Sequence, residues 1–295
     1  KNTNKIAAEI TMIKNTTWVL KHYQRLRLHF GTDEILGRAV IKNKKIFKKD
    51  QKGNIVLLLE SEIPVSLDDK FVIRSYSPMN TIGGGIVLEP FVDNQHFNNY
   101  NLIDKIPLNP KERFFFLLDC NWERPKHINE WKKIFLKYHD KIDNWCEELS
   151  VQKSKSNILF TLASIERAKK RIKIFFKKFH SKNSLRTRVP IETINSSIYW
   201  PQDFIKIVLN ELINEKYIKV VDGCYSLISN PNKSLTKLQK EQIDSIENYI
   251  KKSGLVPIEK ISIQKIKNYK PSQLLDFLYF LKSKNKIVDL GNNFF

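Results

Sequence analysis

A multidomain chain, a small all-β barrel followed by repeated α/β units, is the fold class that the sequence predicts, and three observations predict it. Residues 5 to 90 break into short runs rich in Val, Ile, Leu and Phe, separated by turn residues. Beyond about residue 110 the apolar period changes to that of helices. The last part then repeats itself at a step of sixty-seven to sixty-nine residues. A length of 295 residues exceeds one ordinary core and suits two to four domains.

Six strands are expected in the first part, at Lys5-Ile13, Tyr23-Phe30, Glu34-Ile41, Asn54-Leu59, Lys70-Tyr76 and Gly84-Leu88. From Leu26 the second alternates, with Leu26, Leu28 and Phe30 on one side and Arg25, Arg27 and His29 on the other, so one face is buried and the other is wet and basic. Six strands in about ninety residues predict a closed barrel, which leaves no exposed edge. Gly83-Gly84-Gly85 belongs to it. A phosphate-cradling glycine loop needs a helix N-terminus behind it. Here Ile86-Val87-Leu88 and then Glu89-Pro90 follow, a strand stopped by proline, so the glycines mark a close backbone approach inside a sheet.

Residues 91–110 are asparagine-rich with little periodicity and read as a connection. In the repeat, Val189-Pro190-Ile191-Glu192-Thr193-Ile194 recurs as Val256-Pro257-Ile258-Glu259-Lys260-Ile261, and Leu209, Leu212 and Ile218 recur as Leu278, Leu281 and Ile287. Pro201 and Pro271 each open the helix that carries the leucines. The hairpins are Tyr217-Val221 with Tyr225-Leu227, and Lys286-Leu290 with Phe294-Phe295. Three helices and a hairpin in about sixty-five residues make a winged helix. A third copy is expected from helices near Lys111-Leu118, Ile128-Lys137 and Lys141-Leu149 and a wing around Val151-Phe160. The expected domains are 1–90 barrel, 91–108 linker, and winged helices at 109–161, 162–231 and 232–295.

A formal charge of +20, from 51 Lys and Arg against 31 Asp and Glu, points to a polyanionic partner, although only ten of the 51 are Arg. The sharpest run is Arg167 to Arg188, with ten Lys or Arg and no carboxylate. On a helix, Ile165, Ala168, Ile172, Phe175, Phe176 and Phe179 form its core-facing stripe, which turns Arg167, Lys170, Arg171, Lys177 and Lys178 outward to meet phosphates. Tyr199-Trp200 either stacks on a base or plugs the core of its unit.

Three cysteines without CxxC spacing indicate no disulfide framework and a reducing, cytoplasmic setting. Cys120, His127, His139 and Cys146 match no familiar zinc spacing, and no metal is expected. No apolar stretch is long enough to span a membrane and no signal peptide opens the chain, so no membrane partner is expected. The first residue is Lys1, which suggests an internal fragment of a longer protein. The sequence has no GxxxxGK[ST], HExxH or GxSxG motif and no His-Asp-Ser grouping with supporting context, so no catalytic residues are expected and a binding role is favoured over an enzyme.

The stretch Leu28 to Val40, with its HxGTxExxGR string, and residues Pro64 to Gly85, with RSYSPxxTIGGG, closely resemble the third domain of the bacterial selenocysteine-specific elongation factor SelB. That family resembles elongation factor Tu with an extension: a GTPase domain, two β-barrels, then four winged helices. The resemblance implies that GGG lies on the closing strand of the second barrel. It implies selenocysteinyl-tRNA, an mRNA hairpin that recodes UGA, and the ribosome as partners, with GTP and Mg confined to a GTPase domain that this chain lacks. A monomer without cofactors is expected. By position, Arg25, Arg27, Arg38 and Arg74 become candidates for tRNA contact. For mRNA the candidates are Arg167, Lys170, Arg171, Lys177, Lys178, Arg186 and Arg188, with Lys265, Lys267 and Lys270 ahead of the last recognition helix. The A-form major groove is too narrow for a helix, so a loop or bulge is the expected target. Two readings compete: a DNA-binding winged-helix transcription regulator with a β-barrel sensor domain, and a protein–protein adaptor.

Overall fold

The computed structural model of the chain describes residues 2–41, 46–92, 100–183, 185–228, 237–265 and 269–295. They fall into two compact parts, Lys1–Ser164 and Ile165–Phe295.

The first part opens with the barrel. Its strands are β1 (Asn2–Met12), β3 (Arg25–Phe30), β4 (Asp33–Val40), β6 (Lys52–Pro64), β7 (Lys70–Ser75) and β8 (Thr81–Glu89), and β2 (Leu20–Lys21) pairs with β5 (Ile46–Phe47) as a separate ribbon. The barrel closes in the order β1-β6-β4-β3-β7-β8, with every neighbour antiparallel. All six predicted strands are present; β6 runs well past the predicted Leu59. Alternation fills the interior, where Ile6, Ile10, Leu26, Leu28, Leu57 and Ile73 are fully buried.

The glycine run lies in β8, between β7 and β1, and does what its strand context predicts. A Cβ at Gly83 would lie 2.6 Å from the Thr11 carbonyl oxygen. At Gly85 it would lie 2.7 Å from that of Glu9 and 2.5 Å from the Phe71 ring. Neither strand can yield without breaking the ladder, so the barrel closes at this place only around glycine.

The barrel's outer surface has two characters. Ala7 on β1 faces Val56 on β6, and both, with Leu88 on β8, share a buried cluster with Phe114, Trp131 and Phe135 of the first winged repeat. That repeat comprises α2 (Pro110–Cys120), α3 (Ile128–Ile134), a 3₁₀ turn at Leu136–Lys141, α4 (Ile142–Glu148) and the hairpin β9 (Gln152–Lys153) with β10 (Leu159–Phe160). The predicted helix to Lys137 stops at Ile134, and the chain tightens into the 3₁₀ turn. Asn109 caps α2 by accepting from the backbone N–H of Lys111 and Glu112, with Pro110 at the first helical position. His127 and Glu130 form a capping box on α3.

Arg113, wholly buried one residue before Phe114, donates to Asp68 of the barrel at 2.5 Å, and the Tyr138 hydroxyl donates to the other Asp68 oxygen at 2.6 Å. The connection is packed too. Val92, Ile103 and Ile106 are buried, and the Asn54 amide donates to the carbonyls of Ile103, in α1 (Tyr100–Ile103), and of Ile106, at 2.9 and 3.1 Å.

Helix α5 (Leu162–Lys182) leads into the second part, with α6 (Ile191–Ile198), α7 (Gln202–Asn214) and the hairpin β11 (Ile218–Val221) with β12 (Cys224–Leu227), then α8 (Lys237–Lys252), α9 (Lys260–Lys265) and α10 (Pro271–Ser283). Leu209, Leu212, Ile218, Leu278, Leu281 and Ile287 are all buried, as the repeat predicts. The Val-Pro-Ile match is out of register by two residues. Val189 exchanges both backbone hydrogen bonds with Tyr225, and Ile258, not Val256, does so with Phe295. The structural step is therefore sixty-nine residues from Val189 through Ile218 and seventy at the paired strand, Tyr225 to Phe295, and Val256 is 69% exposed where Val189 is buried. The last predicted hairpin is reduced to a turn, with Leu290 N–H donating to Phe294 and Phe294 bridging to Glu259 and Gly291.

Two outcomes follow. Replacing Gly85→Ala should destabilise the chain by about 1–3 kcal/mol, and Gly84→Ala, whose Cβ would meet only the Phe71 carbonyl at 3.2 Å, by less; urea unfolding compares them. Replacing Arg113→Ala leaves the Asp68 carboxylate without its buried partner and should cost about 3–5 kcal/mol. The double change Arg113→Met with Asp68→Asn removes both charges and should recover most of that loss in the same assay; Asn tolerates the positive φ of +67° at this position.

Candidate nucleic-acid interfaces

On the barrel wall opposite β1, each of β4, β3 and β7 turns arginine outward, alongside Glu34, Leu36 and Val72. Arg25 stands directly across from Arg38, and Arg27 across from Arg74. Like charges so placed repel, and the structure offsets this with two carboxylates and two tyrosines. Arg25 binds Glu60 through two bonds of 2.8 and 2.6 Å, which holds the Glu60 carboxyl below its usual range. Arg27 pairs with Glu34. Arg25 and Arg27 both lie over the Tyr76 ring, at 4.6 and 5.3 Å, and Arg38 lies over Tyr23 at 5.2 Å.

The four predicted tRNA candidates are thus brought together, but they differ. Arg25 and Arg27 are charge-balanced. Arg38 reaches only the Tyr23 carbonyl, at 3.4 Å, and Arg74 only the Met79 sulfur, at 3.9 Å; neither forms an ion pair among the described residues. These two keep guanidinium donors outside any ion pair, and half-exposed Tyr23 and Tyr76 stand beside them.

The second basic surface is α5. Ile165, Ala168, Ile172 and Phe176 face the core as predicted, whereas Phe175 and Phe179, expected in the same stripe, are only half-buried. Lys169 is buried and pairs with Glu215 at 2.5 Å and with Glu166; Lys173 reaches Glu215 at 2.9 Å and lies 4.9 Å over Tyr217. These two lysines are structural, and with them Glu215 is held below the usual carboxylate range. Lys170, Arg171, Lys177 and Lys178 are exposed, while Arg167 is half-buried. Lys265 and Lys270 are exposed, and Lys267 lies outside the described residues.

Arg186 and Arg188 have partners inside the chain. Arg186 binds Asp276 of α10 at 2.5 Å and lies 5.4 Å over Tyr279; Arg188 pairs with Asp222 and reaches the Ser283 carbonyl at 3.3 Å. Leu185 beside them enters the core of the third winged repeat. Sequence reading missed this junction between the second and third repeats, because its acidic partners lie 34 and 90 residues away.

The third helix of each winged repeat, the one expected to enter a groove, is not basic. Helix α4 carries Asp143, Glu147 and Glu148, and α7 carries Asp203 and Glu211 with only Lys206. In α10, Asp276, Tyr279 and Ser283 are held by the second repeat. Tyr199-Trp200 divides its roles: Trp200 is buried against Phe204 at 5.5 Å, and Tyr199, at φ +58°, is 85% exposed.

Of Cys120, His127, His139 and Cys146, two have structural surroundings that account for them. His127 Nδ1 accepts from Asn129 N–H, and burial pushes the Cys146 thiol up to about 11. Among the described residues no three His, Cys, Asp or Glu gather to hold a metal, and no helix is long and apolar enough to cross a membrane.

A closed six-stranded antiparallel barrel followed by winged helices is what this architecture defines. Residues 7–94 match the family model of the selenocysteine-specific elongation factor β-barrel domain. The selenocysteine-specific elongation factor of Desulfomicrobium baculatum is 24% identical over 82 residues, covering 28% of this chain and 13% of that protein. The crystal structure of a bacterial selenocysteine-specific elongation factor, EF-Sec, shares the fold over 100% of this chain with a TM-score of 0.52 and 18% identity. The chain spans 54% of that structure's length. The family likeness thus falls on the barrel, residues 7–94, and the structural likeness shows that the fold as a whole is shared.

His180, at the end of α5, bonds the Arg186 carbonyl at 2.9 Å through Nδ1, while Nε2 is buried without a hydrogen-bond partner. Burial lowers its pKa, against the raising effect of that carbonyl. The unfolded chain therefore binds this proton more readily, so stability is full above about pH 6.5 and falls as pH drops toward the folded value. Urea unfolding at pH 7.5 and 5.5 should show a larger loss for the natural chain than for His180→Gln.

Proposed function

We propose that this chain is the RNA-handling part of a selenocysteine-specific translation elongation factor. Its barrel wall holds selenocysteinyl-tRNA, and its winged helices dock on an mRNA hairpin at the ribosome so that UGA is recoded. The observation that carries the reading is the basic-aromatic wall, whose Arg38, Arg74 and Tyr76 lie within the residues matched by the barrel family model.

The mechanism is tethering. A tRNA held on one domain and an mRNA on another in the same molecule meet at a high effective concentration, without a bond made or broken by this chain. GTP and Mg belong to a GTPase domain, for which these residues supply no phosphate loop. The protein works in the cytoplasm, as a monomer.

Exposed cations on α5 give the mRNA contact its electrostatic part, through release of counterions from the phosphates. The acidic character of α4 and α7 weighs against the rival DNA regulator, since a groove-reading helix needs cations toward the phosphates.

Binding of the full chain to a bulged RNA hairpin, a fully paired RNA and duplex DNA of equal length, across a salt series, tests the mRNA part. The hairpin should lead by tenfold or more, about 1.4 kcal/mol, at every salt concentration. Equal binding to all three, weakening together with salt, would leave only an electrostatic footprint. For the tRNA part, Arg38→Gln with Arg74→Gln should weaken binding of the selenocysteine tRNA about tenfold, or about 1.4 kcal/mol. Arg25→Gln should cost less, because Glu60 already balances that charge.

A further inference from the structure

The connection that leads from β1 to β3 lines an open pocket of about 590 Å³ on the barrel. Its walls include Trp18, Lys21, His22 and Tyr23, and among the described residues no carboxylate lines it.

The pocket is held in shape from beneath. Leu20 of β2 pairs with Phe47 of β5, and both are buried in the barrel core. The backbone above them is pinned bond by bond. Trp18 N–H donates to the Thr16 hydroxyl at 3.0 Å and Lys21 N–H to the Gln24 side-chain oxygen at 2.8 Å. Tyr23 N–H donates to the Ala39 carbonyl at 2.6 Å, and Ile41 N–H donates to His22 Nδ1 at 3.0 Å. Tyr23 is thereby kept at φ +63°, a region an aromatic residue enters only where its surroundings hold it. A ligand arriving here finds the walls already ordered, which lowers the entropy lost on binding.

The chemistry on offer is all donors and rings. Because His22 Nδ1 accepts, the ring proton sits on Nε2 of an exposed side chain. Exposed Lys21 forms no ion pair among the described residues. Arg38 lies 5.2 Å over the Tyr23 ring and donates to the Tyr23 carbonyl at 3.4 Å, so the pocket adjoins the basic wall. Trp18 is half-buried against the core and Tyr23 is 52% exposed, with the His22 ring 6.0 Å from it. Cations and N–H donors without a carboxylate attract a phosphate, and flat rings accept a base. A bare phosphate would leave the rings unused, and a base already paired in a duplex has its faces covered by its neighbours.

We propose that this pocket takes one unpaired nucleotide of the RNA that lies on the basic wall, its base against Trp18 and Tyr23 and its phosphate at Lys21 and Arg38. The proposal rests on the RNA-handling reading above and deepens it by adding a single-nucleotide site to the barrel.

The test titrates the full chain with a single-stranded hexaribonucleotide carrying a central 2-aminopurine, with the same base paired in a blunt duplex, and with 2-aminopurine riboside monophosphate. The hexamer should be quenched, the duplex should not, and the monophosphate should bind at least tenfold more weakly than the hexamer, since it lacks the neighbouring phosphates. Selenocysteine tRNA should displace the hexamer. Tyr23→Asn removes the ring while tolerating the positive φ, and should lose most of the quench and bind the hexamer roughly tenfold more weakly. Trp18→Phe keeps a ring and should retain both. A quench that Tyr23→Asn leaves intact, no quench at all, or tRNA that binds without displacing the hexamer overturns the pocket and leaves the proposed function standing. Monophosphate binding as tight as the hexamer overturns RNA as the source of the nucleotide. Failure of the tRNA to bind overturns the reading above, and the proposal with it.

Discussion

A single buried guanidinium sets the arrangement of the first compact part. Arg113 has no exposed surface, and Asp68, which it reaches, is also bonded by Tyr138. A charge taken out of water is tolerated only where an opposite charge is held against it, so barrel and first winged repeat must meet at this place. The apolar surface around it, Ala7, Val56 and Leu88 against Phe114 and Trp131, supplies the hydrophobic gain that outweighs the desolvation. The Asp68 backbone, at φ +67°, turns the carboxylate to the meeting point.

Once that side is covered, the wall left to solvent follows from barrel geometry. In a six-stranded barrel, β3 lies three places from β1 in either direction, so the wall left to solvent is centred on the strand that carries Arg25 and Arg27. The glycines of β8 matter for the same reason. By letting β8 approach β1 and β7 without a Cβ, they close the barrel in the order that puts the covered and the basic walls on opposite sides. Ion-paired and unpaired arginines are interleaved on that wall. Glu60 and Tyr76 restrain Arg25, and the next residues across the sheet, Arg38 and Arg74, keep donors unspent.

Much of this was legible from residue order because it is local. Period-two alternation in Arg25–Phe30 gave both the strand and the identity of its wet face. The spacing of Ile165, Ala168, Ile172 and Phe176 correctly turned Lys170, Arg171, Lys177 and Lys178 outward, and it left Lys169 and Lys173 off that face. What escaped is tertiary. Nothing near Arg113 announces a partner 45 residues upstream, and nothing near Arg186 announces Asp276 ninety residues on. The Val-Pro-Ile match misled by two residues because identical letters were aligned, whereas the structure aligns the backbone bonds that Val189 and Ile258 make. The loop ahead of the second copy absorbs the difference, and Leu255 and Val256 stand exposed there.

The distribution of paired and unpaired cations separates affinity from selectivity in this molecule. Exposed lysines and arginines on α5 attract any polyanion, and their contribution falls with salt whatever the sequence. The arginines at the junction of the last two winged repeats behave differently, because a phosphate approaching Arg186 or Arg188 exchanges one anion for another and gains little by charge alone. Any selectivity at that place would have to come from terms that salt does not screen, such as contact with an aromatic ring. An acidic or internally occupied third helix in each repeat is consistent with this division, since a helix already committed to intramolecular contacts cannot also read a groove. The winged helices of this chain therefore differ from groove readers in which surface they leave open, and the open surface is the long first helix of the second repeat.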